Sequence, residues 1–142
     1  MLDGLAQSVQ AYLPSTVCDT RVPNRERLDT ARREYERIRS EMIAWQEELD
    51  WHCYRLYDLI DEDLASAEPP PIALGQRAFE IALARKVAAG EEETAWFERH
   101  GSTPITEIPA HWPQDYRDLV QRRLDLIESD RSINLLERPE FK

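Results

Sequence analysis

One uninterrupted stretch limits the fold more than anything else in this sequence. From Asn24 to Leu59 there is neither glycine nor proline, and Leu28, Ala31, Tyr35, Ile38, Met42, Trp45, Leu49, His52, Leu56 and Leu59 recur at alternating steps of three and four. That spacing puts side chains on one face of an α-helix, and sustained for more than four heptads it is also the pattern of a coiled-coil seam. Pro23 suits the first position of such a helix, because the amide it lacks would be unpaired there anyway. A helix of about 36 residues is about 54 Å long. A rod of that length cannot bury its stripe against itself, so the seam must meet a second helix, from this chain, from a part of the protein outside it, or from a second copy.

Shorter elements flank the rod. Leu2, Leu5, Ala6, Val9, Tyr12 and Leu13 share one helical face up to Pro14, and Ser15 to Arg21, without periodicity, reads as a loop. Pro69, Pro70 and Pro71 remove amide donors and force extended geometry, so residues 65–73 read as a stiff hinge. Residues 74–89 place Ala78, Phe79, Ala82, Leu83 and Val87 on one face before Gly90, a helix stop. Glu91, Glu92 and Glu93 suit the positive end of a short helix that carries Trp96 and Phe97 and stops at Gly101. After a Pro-punctuated loop, Tyr116, Leu119, Val120, Arg123, Leu124 and Ile127 mark another amphipathic helix, and Ile133, Leu135 and Leu136 a last turn or two. The expected fold is all-α: one long coiled-coil-like helix over about residues 24–60, packed with a bundle of shorter helices. Its parts are residues 1–64, the hinge 65–73, and a smaller bundle over 74–142, together one structural domain.

Composition narrows the function. With 42% hydrophobic and 32% charged residues the chain is globular rather than disordered, and no apolar run approaches the roughly 18 residues of a membrane span. Met1-Leu2-Asp3-Gly4 lacks the basic start of a secretory signal, so a cytoplasmic protein without membrane contact is expected. Cys18 and Cys53 are too far apart for a zinc pattern and read as free thiols. A net charge of -10 opposes nonspecific attraction to nucleic acid. Residues 21–39 depart from that balance, with seven arginines against four acids. Arg25, Arg32 and Arg39 repeat every seven residues beside the seam and form a ridge for DNA phosphates or an acidic partner helix; the interleaved Glu26, Asp29, Glu34 and Glu36 offer local salt bridges instead.

No motif of chemistry emerges. There is no phosphate- or dinucleotide-binding glycine loop and no HExxH or CxxC spacing, so no catalytic, cofactor-binding or metal-ligating residue is assigned. His52 and Cys53 are neighbours on a helix and point about 100° apart, so they cannot chelate together. His52 lies on the seam and reads as a packed core histidine, His100 as part of a helix end before Gly101, and His111 as a surface or stacking residue beside Trp112. Asp58, Asp61, Glu62 and Asp63 lack the turn glycine of a calcium loop and read as a solvated helix end. Trp45, Trp51, Trp96 and Trp112 read as core or interface anchors.

Four stretches carry a resemblance. They are Glu48-Leu49-Asp50-Trp51-His52-Cys53-Tyr54-Arg55-Leu56-Tyr57-Asp58-Leu59, Leu74-Gly75-Gln76-Arg77-Ala78-Phe79-Glu80-Ile81, Trp96-Phe97-Glu98-Arg99-His100-Gly101-Ser102-Thr103-Pro104-Ile105, and Leu136-Glu137-Arg138-Pro139-Glu140-Phe141-Lys142. In this order they resemble part of the large adenine-specific DNA methyltransferases of bacteriophage-exclusion (BREX) systems, which are related to fused restriction-modification enzymes. The resemblance implies a parent enzyme that transfers a methyl group from S-adenosylmethionine to a flipped-out adenine. The catalytic Asn-Pro-Pro-Tyr type motif of that family is missing: Pro69-Pro70-Pro71 is preceded by Glu68 and followed by Ile72. Asp58 stands where the family pattern has a glycine, which lets the long helix run on toward Leu64. The implied role is a non-catalytic helical spacer or scaffold with the remainder of the methyltransferase as partner and the arginine ridge flanking DNA. The other reading is a stand-alone coiled-coil module that self-associates through the long helix. In both, the segment itself holds no cofactor.

Overall fold

The computed structural model describes residues 1–19, 22 and 24–142, so Arg21 and the expected helix-starting Pro23 lie outside the described residues. The elements run α1 (Leu2–Gln10), α2 (Pro14–Asp19), α3 (Arg25–Leu56), α4 (Ala78–Ala88), α5 (Trp96–His100), α6 (Gln114–Ser129) and α7 (Arg131–Leu136), then a 3-10 turn, Pro139–Phe141. Among the described residues there is no strand, and the long helix packs with the shorter ones. The loop expected from Ser15 is helical instead: Pro14 occupies a first turn, where its lost amide costs nothing, and Val17 is buried.

Local chemistry sets both ends of α3. Asn24 caps it, its side chain accepting the Arg27 amide at 2.9 Å. At the other end Asp58 adopts a left-handed φ of 53°. The Leu59 amide donates to the Tyr54 carbonyl at 2.9 Å and the Asp58 amide to that of Arg55 at 3.2 Å. This is a Schellman ending. The helix therefore stops at Leu56 instead of running toward Leu64, because Asp tolerates the left-handed conformation that ends it. Two other expected boundaries move as well. α4 begins only at Ala78, after a turn at Gly75, and residues 91–95 precede α5 without being helical. Thr94 accepts the Trp96 amide through its hydroxyl at 3.1 Å, so the helix starts there and not at the glutamates.

The buried face of α3 changes along its length. In the first half Ala31 and Ile38 are buried on the expected seam. The cover comes from α1 and the turn after it: Tyr12 and Leu13, just past α1, lie beside Leu28, Ala31 and Tyr35, whereas Met1 and Leu2 at its start face Trp45, Leu49 and His52 further along α3. α1 is thus antiparallel to α3. In the second half the buried residues are Ala44, Glu47, Glu48, Trp51 and Tyr54, a different face of the rod. His52 is exposed, not a core histidine, and Leu49, Leu56 and Leu59 are exposed too. The main body lies beneath the Trp51 face, and α1 ends before it can cover the rest of the seam.

The larger apolar cluster of that body joins Trp51 and Tyr54 from α3, Leu64 and Ile72 from the connection, Ile81 from α4, Leu124 and Ile127 from α6, and Ile133 from α7; a smaller one joins Leu83 and Ala84 to Phe97. α4 lies against α6 and α6 against α7. Each fully buried Leu, Ile or Phe contributes roughly 1.5–3 kcal/mol. The proline-rich stretch is laid along α3, with the Ile72 amide donating to the Ser40 carbonyl at 3.1 Å and the Ile72 side chain buried. Gly75 makes the next turn possible. Its φ is 88°, and a Cβ there would meet the Thr103 carbonyl oxygen at 2.5 Å.

Candidate functional site

The most concentrated chemistry is a charge network buried between α3 and the shorter helices. Glu47, Glu48, Glu80, Arg123 and Glu137 are all buried, residue types that rarely lose their water without partners. Apolar periodicity does not find this network. A signal was present: Arg123 interrupts the apolar row of α6, and Glu47 and Glu48 follow Ala44 on α3.

Arg123 is its centre. Its Nη2 donates to Glu48 Oε2 at 2.5 Å, and Nε and Nη2 both donate to the Leu64 carbonyl, at 2.9 and 2.5 Å. The guanidinium also lies over the Trp51 ring, 5.2 Å from its centroid, and 5.7 Å from that of Tyr116. Glu48 is completed by the Tyr116 hydroxyl at 2.6 Å and the Ser66 amide at 2.5 Å. One helical step earlier, Glu47 accepts from Arg77 Nε at 2.7 Å, Trp51 Nε1 at 3.1 Å and the Ala78 amide at 3.2 Å. Arg77 reaches on to Asp50 at 2.7 Å. Glu80 sits in the first turn of α4, where a carboxylate is favoured by the helix dipole, and accepts the amides of Gly75 and Arg77 and the Trp96 indole N–H.

The chain end closes the network. Lys142 Nζ donates to Asp50 at 2.8 Å, Glu137 at 2.6 Å and the Tyr54 hydroxyl at 3.0 Å, and that hydroxyl donates to Glu137 at 2.5 Å. Glu137 Oε2 alone has no hydrogen-bond partner among the described members of this network.

The electrostatics follow from these contacts. Burial acts to raise the Glu47 carboxyl, but Arg77 and Arg123 outweigh it and hold it at about 2. Burial, reinforced by the Glu47 charge, pushes the Glu137 carboxyl up against the opposing pull of Lys142. Burial and then Glu137 push the Tyr54 phenol up; burial pushes the Tyr116 phenol up, with Glu48 adding to it against Arg123. Nearly every donor and acceptor here is satisfied by another member, so the arrangement fixes geometry and leaves little free for a substrate.

The arginine ridge lies elsewhere. Arg25 and Arg32 are exposed and Arg39 half-buried, all on the first half of α3. Arg25 stands 4.0 Å from Asp29 and Arg39 3.7 Å from Glu36, while Arg32 has no ion pair among the described residues. Among the same residues no His, Cys, Asp and Glu are grouped to hold a metal. Asp58 is exposed, Glu62 pairs with Arg122, and Asp63 accepts the Ala65 amide at 3.1 Å. His100 Nδ1 donates to the Trp96 carbonyl at 2.8 Å and the ring stacks on that of Trp96, and His111 is exposed. Cys18 is exposed and Cys53 half-buried, both free thiols. No helix of the described residues is long and apolar enough to cross a membrane.

Residues 42–142 match the family model described as "Domain of unknown function (DUF7008)". The chain belongs to this family. The DUF7008 stretch contains the whole buried network, from Glu47 to Lys142, whereas Arg25, Arg32 and Arg39 precede it. Over 147 aligned positions the chain is 55% identical to "Adenine-specific methyltransferase PglX" of Streptomyces coelicolor. The alignment takes in 99% of this chain and 12% of that protein, so the likeness is to a segment of it. No solved structure matches the chain.

Proposed function

We propose that this DUF7008 segment is a non-catalytic helical scaffold of a cytoplasmic BREX-type adenine-specific DNA methyltransferase, holding target recognition at a fixed distance from catalysis. The buried network carries this reading. It ties four distant stretches, 47–50, 77–80, 123 and 137–142, into one body from which α3 projects. A scaffold needs that stiffness, and a buried pair resists shear because breaking it strands a charge. In such a protein the methyl donor, S-adenosylmethionine, would be held by the remainder of the enzyme. Phage defence would be the purpose of the whole enzyme.

The arginine ridge is the element of the scaffold nearest to a DNA role. Among the described residues Arg32 is the member of the ridge with a free guanidinium; Arg25 and Arg39 have carboxylates at hand. Self-association through the seam gains no support, because α1 already occupies its first half.

The test is made in the full-length Streptomyces relative at the position aligned with Arg123. An Arg-to-Met change should lower adenine methylation at least tenfold and leave the Kd for S-adenosylmethionine unchanged. Unaltered methylation, or a donor Kd that moves with activity, removes the scaffold reading.

A further inference from the structure

The bed in which α1 lies does not end with α1. Beyond Leu2 it continues as an open groove of about 650 Å³, floored by Trp45, Leu49 and His52 of α3 and walled by Ala65 and Ala67 of the connection. Leu49 is 44% exposed and Leu56, two turns further on the same face, 68%. These leucines continue the row whose earlier members, Ala31 and Ile38, are buried. Leu49 lines the groove and Leu56 stands two turns past it, so bare aliphatic surface runs on from the groove along the same helix face. The rim carries Asp3 and Asp63.

Resting on the scaffold reading above, we infer that this groove seats a second amphipathic helix, in line with α1, from a part of the methyltransferase outside residues 1–142. The groove prolongs an interface already made, so an occupant lying along α1's axis finds the same ridges and spacing. Its inward face is aliphatic to match Leu49 and Leu56, and its flanks carry Lys or Arg toward Asp3 and Asp63. A second copy of this chain fits less well: a two-fold pairing sets the same acidic rim against itself, on a chain of net charge -10.

Thiol labelling tests the inference. In the isolated 142-residue chain, with Cys18 and Cys53 changed to Ser, Leu56→Cys and Leu135→Cys should both react quickly with a maleimide, because both sites are exposed. In the full-length Streptomyces relative, cysteines are placed at the two aligned positions after removal of the native ones. The site aligned with Leu56 should react at least tenfold more slowly than in the isolated chain, and the site aligned with Leu135 should not. Equal rates at the Leu56 site, or equal slowing at both sites, overturns the groove assignment. Slowing of the isolated chain at micromolar concentration points to self-pairing and overturns it as well. The Arg123 variant distinguishes the two levels, since a loss of methylation there with unprotected Leu56 leaves the scaffold standing and removes only its docking face.

Discussion

Arg123 and Glu48, 75 residues apart, form a 2.5 Å ion pair in the interior, roofed by the Trp51 and Tyr116 rings. Removing one member leaves the other charged and dry. Arg123→Met is therefore expected to cost about 3–5 kcal/mol. Adding Glu48→Gln to it should recover part of that loss, because the stranded carboxylate goes too. Urea denaturation of the two singles and the double gives the coupling energy directly. Additive losses would mean that the pair is not a unit.

The left-handed Asp58 predicts a gain. Asp58→Gly should raise stability by about 0.5–1 kcal/mol, or the melting temperature by roughly 1–4 °C. Its exposed pairing with Arg55 adds little to set against this. The counterpart is Gly90, which follows α4 at φ 74° with open space where a methyl group would stand. Gly90→Ala should shift the melting temperature the opposite way. A fall on Asp58→Gly would contradict the backbone account.

Gly75 offers a larger effect, because conformation and space act together. Gly75→Ala sets a methyl against the Thr103 carbonyl oxygen at a left-handed position, in a buried turn whose amide donates to Glu80. A loss of about 2 kcal/mol or more is expected by calorimetry. A change under about 0.5 kcal/mol would show that the turn relaxes freely.

Acid should act through Glu47. Its folded value of about 2 lies below the ordinary 4.5, so its stabilisation is complete above pH 4.5 and is lost as pH falls toward 2. The loss amounts to about 3 kcal/mol. Glu47→Gln should be less stable near neutrality and show a flatter acid limb in denaturant titrations. Glu137 has the reverse sign: its raised carboxyl favours the protonated form in the fold, so its contribution is present at low pH and lost as pH rises through the folded value. Glu137→Gln should accordingly cost less in mild alkali than in acid, and an equal cost at both would exclude that sign.

If the proposed ridge meets DNA, reversing the positions aligned with Arg32 and Arg39 to Glu in the full-length Streptomyces relative should weaken binding at low salt and reduce the slope of log K against log salt by about 1 to 2. An unchanged slope would remove the ridge from the DNA interface.

Much of the fold was legible in the residues. The glycine- and proline-free run marked out α3, and Gly90 and Gly101 stood at real helix ends through their left-handed backbones. What stayed hidden was which face α3 buries past Trp45. Periodicity counts apolar residues, and here the buried row includes Glu47 and Glu48, which it scores as solvent-facing. Partners decide that question, and they come from residues 77, 123 and 142, far along the chain. His52 is exposed for the same reason, as the seam outruns the helix that covers it. At Asp58 it is a non-glycine side chain in the left-handed conformation that stops the helix, which spacing alone does not reveal.

An interior organised by paired charge changes what substitution can do over time. An oily centre tolerates trading one aliphatic residue for another of similar bulk, but a carboxylate at 48 is acceptable only while 116 and 123 answer it, and a cation at 142 only while 50 and 137 remain. These distant stretches are therefore bound to drift together or not at all, which makes the segment a poor site for piecemeal variation.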